Sequence, residues 1–170
     1  MEGNGKMKII RVLNTNAVVT VDKEKREVIV TGAGIGFRKK KGEFLDKSLI
    51  DRIYRLQSDE GSKQLQEYVQ AVSEEYLDIA QKVVQTAIQE EKLEVNDILY
   101  VTLADHIHSV LERTKSGIIL KNMIKTDIQN FYPKEFSIGK KAIQWIKEKT
   151  GIDLKEDEAA FIAMHIIASE

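Results

Sequence analysis

The residues able to do chemistry are few. The chain has no cysteine and three histidines, at 106, 108 and 165, so thiolate metal sites, Cys nucleophiles and disulfides are excluded and imidazole is the only soft ligand or neutral base. Two histidines lie in "LADHIHSVLER" and the third in "DEAAFIAMHIIAS". His106, Asp105 and His165 together make a three-ligand metal set. On a helix, however, the H-x-H pair points its rings about 160° apart, so His106 and His108 cannot chelate one ion, and no H-E-x-x-H occurs. Ser-His-Asp chemistry has no nucleophile elbow. His165 is the only polar group in "AAFIAMHIIAS", which fits a hydrogen-bonded core imidazole as well as a functional one.

A second stretch, "VIVTGAGIGFRKKKGE" (residues 28–43), places glycines at 32, 34 and 36 after a β-branched run. A dinucleotide loop needs a helix to follow, whose amide groups receive the pyrophosphate. Here three adjacent lysines and Gly42 follow, Phe37 sits where a third glycine belongs, and no G-K-[ST] is present. A metal- or nucleotide-dependent enzyme using the Gly32–Gly36 loop and the histidines is therefore the weaker of two functional readings. The other is a nucleic-acid face. Gly32 and Gly34 let backbone approach a phosphate or base, Phe37 stacks on an unpaired base, and Arg38, Lys39, Lys40 and Lys41 screen phosphates. Asn14 and Asn16, in the preceding hairpin turn, add amides that read base edges. Glycines and asparagines are also ordinary turn residues, and a lysine run is an ordinary solvated tip.

Charge separates the chain into halves. Residues 1–57 carry 13 Lys/Arg against 7 Asp/Glu, and residues 58–170 carry 13 against 20, so a polyanion partner belongs to the first half only. No run approaches the length of a membrane span and no signal-peptide pattern is present, so the expectation is a cytoplasmic protein without membrane insertion. "MEGNGK" (1–6) has no pattern and is left out of the fold.

Short β-rich runs at 7–13, 17–22 and 27–31, separated by hairpin-length gaps, predict an antiparallel meander. Another short strand is expected near Phe44 and Leu45, and a last one in 51–56. The polar, glycine-bearing "QSDEGSKQ" marks a linker at 58–64. Beyond it the period is helical: one long amphipathic helix from Leu65 to Ile88, a second from an Asn96 cap to Lys115, a third over "IILKNMIKTDIQNFY" before Pro133, a fourth to Gly151, and a fifth opening on Glu156–Glu158. The fold class is α+β in two domains: a small four-stranded antiparallel sheet domain (7–57) followed by an all-α five-helix bundle (65–170). On the second helix, His106 and His108 flank the apolar stripe at equal angles, and periodicity does not choose between them.

"MKIIRVLNTNAVVTV", "VTGAGIGFRKKKGE", "LADHIHSVLER" and "DEAAFIAMHIIAS", in this order, resemble the BglG/SacY-type transcriptional antiterminators over the whole chain from Met7. The resemblance implies an RNA-binding co-antiterminator domain that dimerises through its sheets, followed by a helical PTS regulation domain. The homodimer would clamp an RNA hairpin in an mRNA leader and prevent the terminator from forming. By position, Arg11, Asn16, Gly32 and Phe37 fall where the family contacts RNA, and Asn14 and Gly34 lie in the same loops. Ala33 stands where some members carry arginine. The resemblance makes His106 and His165 acceptors of phosphate from phosphotransferase-system proteins, with Asp105 as the neighbour that orients the imidazole. It implies an acceptor and not an enzyme, with no cofactor, and a second regulation domain beyond Glu170.

Overall fold

The computed structural model describes residues 6–170, and the chain divides into two compact units, Met1–Glu74 and Glu75–Glu170. Most of the segment read as a patternless extension, residues 1–5, lies outside the described residues.

The first unit is a four-stranded antiparallel sheet in the order β1(Arg11–Asn14), β2(Ala17–Val21), β3(Glu27–Thr31), β4(Arg52–Tyr54). Alternation places Val18, Val28 and Val30 on one face, where they pack with Ile9, Ile35 and Leu45 from the loops. The opposite face, with Val19 and Ile29 also fully buried, is covered by a helix, α1(Asp59–Ala71), which packs against β1 and β3. Ser58 caps α1 by accepting from the Gly61 N–H at 3.0 Å. Residues 58–64 are thus the capped start of a helix and not a linker, and the division falls at Glu74. The strand expected near Phe44 is a single bridge between Lys8 and Phe44.

The long helix read over 65–88 is also broken. Its apolar stripe serves two cores: Leu65 and Val69 are buried in the first unit, and Leu77, Ile79, Ala80 and Val83 in the second. A periodic stripe records which residues are buried, not whether the helix between them is continuous. The second helix, α2(Leu77–Gln85), runs into a π-turn at Thr86–Glu90, where the Thr86 hydroxyl donates back to the Lys82 carbonyl at 2.7 Å.

The other helices of the second unit are α3(Ile98–Lys115), α4(Lys125–Phe131), α5(Pro133–Thr150) and α6(Glu156–Ala168). With α2 they make the five helices expected of this unit. Asn96 accepts from the Ile98 N–H at 2.9 Å at the start of α3, and α5 ends at Gly151 in the left-handed conformation, φ 76°. Helix α4 is shorter than its apolar pattern. The Asn122 N–H donates to Asp157 at 2.7 Å and its side chain accepts from the Ile124 N–H, so this stretch bonds to α6 and to itself instead of starting a helix. No helix among the described residues is long and apolar enough to cross a membrane.

Candidate nucleic-acid interface and phosphoacceptor pair

The β1–β2 turn and the glycine loop form one stitched surface in the first unit. Asn14 folds the turn by accepting from the Asn16 N–H at 2.7 Å. The Asn16 side-chain oxygen then accepts from the Gly34 N–H at 3.0 Å, its backbone oxygen from the Gly32 N–H at 3.0 Å, and the Thr15 carbonyl from the Gly36 N–H at 2.9 Å. Four hydrogen bonds therefore hold Asn16, Gly34 and the following residues together without any regular element.

The glycines divide by role. Gly34 has φ +77° and open space around it, so it is the turn glycine. Gly32 is buried, and a Cβ there would run into the Leu49 carbonyl oxygen. Gly32 therefore permits close packing inside the unit, a requirement that holds whether or not its backbone also meets a ligand.

Beyond the loop, the Phe37 ring is 57% exposed, with the Arg38 guanidinium 5.1 Å from its centroid. Arg38 takes φ +57°, a conformation an L residue rarely adopts. An exposed ring beside a guanidinium is a stacking platform with a phosphate-seeking cation next to it. The Lys39 ammonium donates to the Phe44 carbonyl at 3.2 Å, while Lys40 and Lys41 are exposed. Two candidates are occupied within the unit. The Arg11 guanidinium pairs with Glu27 and donates to Gln66 of α1, and Gln66 donates in turn to Glu27 at 2.9 Å. These contacts hold the Glu27 carboxyl below its usual range, Gln66 being the larger cause and Arg11 the next opposed only by burial. The Asn14 amide donates to Glu74 at 2.8 Å. Strand β3 pairs antiparallel with both neighbours, and the next helical turn after the loop is three residues at 47–49, so the β-α-β unit of a dinucleotide loop is missing.

In the second unit the two histidines that periodicity leaves equivalent pack against different partners. The His106 ring on α3 lies 4.7 Å from the His165 ring on α6, between centroids, with Phe161 alongside His106 at 6.2 Å. His108 turns to Tyr76, 6.4 Å away. Burial, then the neighbouring His106, push the His165 imidazole down to about 4, opposed by the charge of Asp105. His165 is therefore neutral at physiological pH and keeps a lone pair, as a phosphoryl acceptor requires.

The carboxylate that reaches His106 is not its exposed chain neighbour Asp105 but Glu158 of α6. Its oxygen lies 3.5 Å from His106 Nε2, and Arg113 stands 3.9 Å from its other oxygen. Glu158 is buried, and its Oε2 and His106 Nε2 have no other partner. No group of three His, Asp or Glu residues among the described residues is arranged to hold a metal ion, so the His106, Asp105, His165 set does not assemble as a ligand sphere.

Residues 81–169 match the PRD domain family and residues 7–63 the CAT RNA binding domain. The chain belongs to the PRD family. Its two domains occur in the order expected of BglG/SacY-type antiterminators. This PRD-family chain is 34% identical over 164 residues to "Transcription antiterminator LicT" of Bacillus subtilis, covering 96% of the chain and 59% of the relative. It is 35% identical over 166 residues to "Beta-glucoside operon antiterminator" of Dickeya chrysanthemi, covering 96% and 58%. It thus spans about six-tenths of the length of these curated relatives. The solved structure titled "Crystal structure of GlcT CAT-PRDI" superposes with a TM-score of 0.74 at 31% identity, covering 97% of this chain and 98% of that one; the α+β architecture is shared.

Within the PRD match, sequence reasoning passed over Glu158 and Arg113. The signal was present as spacing: Arg113 follows His106 by seven residues and Glu158 precedes His165 by seven, so each pair shares a helix face. What placed them out of view was that Glu158 also reads as the acid of a helix first turn.

Proposed function

We propose that this chain is the RNA-binding and first regulatory part of a transcriptional antiterminator. Its first unit binds an RNA hairpin in an mRNA leader and keeps the terminator from forming; its second receives phosphate on His106 and His165 from phosphotransferase-system proteins. The observation that carries the RNA reading is the stitched loop: Asn16 holds Gly34, and the half-exposed Phe37 ring with Arg38 beside it stands next to that bond. This is what a single-stranded or splayed base needs, a rigid rim with a free π-face and a cation. The curated relatives named for antitermination, aligned over 96% of the chain, support the same reading.

The pairing of His106 with His165 supports the regulatory half. Each added phosphoryl group brings about two negative charges into a crevice already holding Glu158. Repulsion there forces α3 and α6 to rearrange, which converts phosphorylation into a change of helix packing. The chain acts as acceptor and RNA binder, not as a catalyst, in the cytoplasm.

A homodimer belongs to this proposal. Because both faces of the sheet are covered within one protomer, pairing through the sheet requires α1 to leave β1 and β3, which also frees Arg11 from Gln66.

Binding of a leader hairpin tests the first half: Phe37→Ala should weaken affinity by ~10–100-fold through the lost stack, and unchanged affinity in Phe37→Ala and Asn16→Ala would remove the RNA face. Radiolabel transferred from phosphorylated transport proteins tests the second. Label that persists after both His106 and His165 are changed to Ala places the acceptor elsewhere.

A further inference from the structure

The crevice around His106 contains an unresolved polar account. His106 Nε2 and Glu158 Oε2 are both buried, 3.5 Å apart, and neither has another partner. A carboxylate oxygen can only accept, and a bare imidazole nitrogen can only accept, so two lone pairs facing each other in a water-free site would be repulsive. With Glu158 as the carboxylate that the Arg113 guanidinium beside it favours, the arrangement satisfies both atoms only if Nε2 carries the proton. A neutral imidazole protonated at Nε2 has its one free lone pair at Nδ1.

We propose that Glu158 is a positioning residue for phosphorylation of His106: its carboxylate holds the Nε2–H, leaving Nδ1 as the atom that takes the phosphoryl group, and Arg113 anchors the carboxylate from its other side. This rests on the reading of His106 as a phosphoacceptor and adds which atom accepts and what prepares it. In the step, the Nδ1 lone pair attacks the phosphorus of the donor. The new N–P bond forms as the donor's bond to phosphorus breaks; the departing group keeps that electron pair and takes a proton from solvent, while the phosphorylated ring retains its Nε2–H as an imidazolium against the Glu158 carboxylate. Positive charge develops on the ring as Nδ1 gives up its pair, and Glu158 stands where that charge is best compensated. Nε2 is closed to a donor by burial against the same carboxylate. Arg113, 3.9 Å from the Glu158 Oε1, keeps the carboxylate oriented toward the ring from α3 itself, one face and two turns beyond His106.

The unaltered chain, labelled with 15N-histidine, gives the first measurement. Long-range 1H–15N spectra at neutral pH should show His106 as the Nε2–H tautomer; the Nδ1–H tautomer overturns the proposal. The second uses phosphoramidate, a small phosphoryl donor whose leaving group departs as ammonia. NMR of the labelled product should show His106 phosphorylated at Nδ1, and phosphate on Nε2 overturns the proposal while leaving His106 an acceptor. If His106 stays unlabelled under conditions that label exposed histidines, the acceptor reading itself fails, and with it the role given to Glu158. Finally, Glu158→Gln keeps the shape and removes the charge. It should slow labelling of His106 by about tenfold or more, the scale on which orienting partners of histidine act, while labelling of His165 changes less than about twofold; equal rates at His106 overturn the proposal. Should Glu158→Gln not fold, the two measurements on the unaltered chain still decide it.

Discussion

As pH falls through the histidine range, His165 should withdraw stability from the folded chain. Its folded imidazole sits at about 4, against an ordinary value of 6.5, mainly because burial disfavours the charged form. A folded value below the unfolded one means that between 6.5 and about 4 the unfolded chain binds more protons. Stability is therefore complete above that window and falls as pH drops through it. For a fully buried group the gap of about 2.5 (6.5 minus about 4) is worth ~3.4 kcal/mol at ~1.36 per pKa step. Because His165 is only partly buried, solvent screening reduces this to about 1–2 kcal/mol. The assay is urea unfolding followed by Trp145, the only tryptophan and a residue of α5, in the unaltered chain and in His165→Gln at a series of pH values. The stability difference between the two should shrink by about 1–2 kcal/mol from neutral pH to about pH 4. Parallel curves would refute the reasoning, since they would mean that the imidazole titrates alike in the folded and unfolded states.

The first unit offers sharper contrasts. Asn16→Ala removes the bond to the Gly34 N–H and should cost about 1 kcal/mol, read as faster hydrogen exchange at Gly34; unaltered exchange would show that the loop does not depend on this bond. Gly32→Ala forces the Leu49 carbonyl away and should lower the unfolding free energy by about 2–3 kcal/mol, whereas Gly34→Ala meets open space and pays only for its positive φ, about 1 kcal/mol. Thermal unfolding that ranks these two in the opposite order contradicts the division of roles between the glycines. If Arg38 contacts an RNA phosphate, Arg38→Ala should reduce the slope of log affinity against log salt by about 1; an unchanged slope assigns the guanidinium to Phe37 alone.

Some of the architecture could be read from local pattern. The meander of β1, β2 and β3 followed from alternation and hairpin-length gaps, and the start of α3 and end of α5 followed from Asn96 and Gly151, because caps and turns depend on residues a few positions apart. The errors share one cause. The helix drawn through 65–88 and the linker drawn at 58–64 were read from hydropathy and polarity along the chain, yet Leu65 and Leu77 belong to different cores and Ser58 is a cap. Helix α4 lost its first turns because the Asn122 N–H found Asp157, thirty-five residues on. The glycine loop shows the same limit: three glycines in five residues say that backbone comes close to something, and only the fold shows that Gly32 meets Leu49 while Gly34 makes the turn.

What the sequence by itself determined is the inventory and its faces: no thiols, three imidazoles, a basic first half with Phe37 beside Arg38, two domains in order, and helix faces that carry His106 with Arg113 and Glu158 with His165. These follow from composition and from the fixed period of a helix. Tertiary structure decided which faces meet. That His106 and not His108 pairs with His165, that Glu158 and not Asp105 reaches His106, and that Arg11 and Asn14 are held by Gln66 and Glu74 all depend on how distant segments pack. Periodicity fixes angles around one axis; distances between two axes are set by the side chains that fill the space between them.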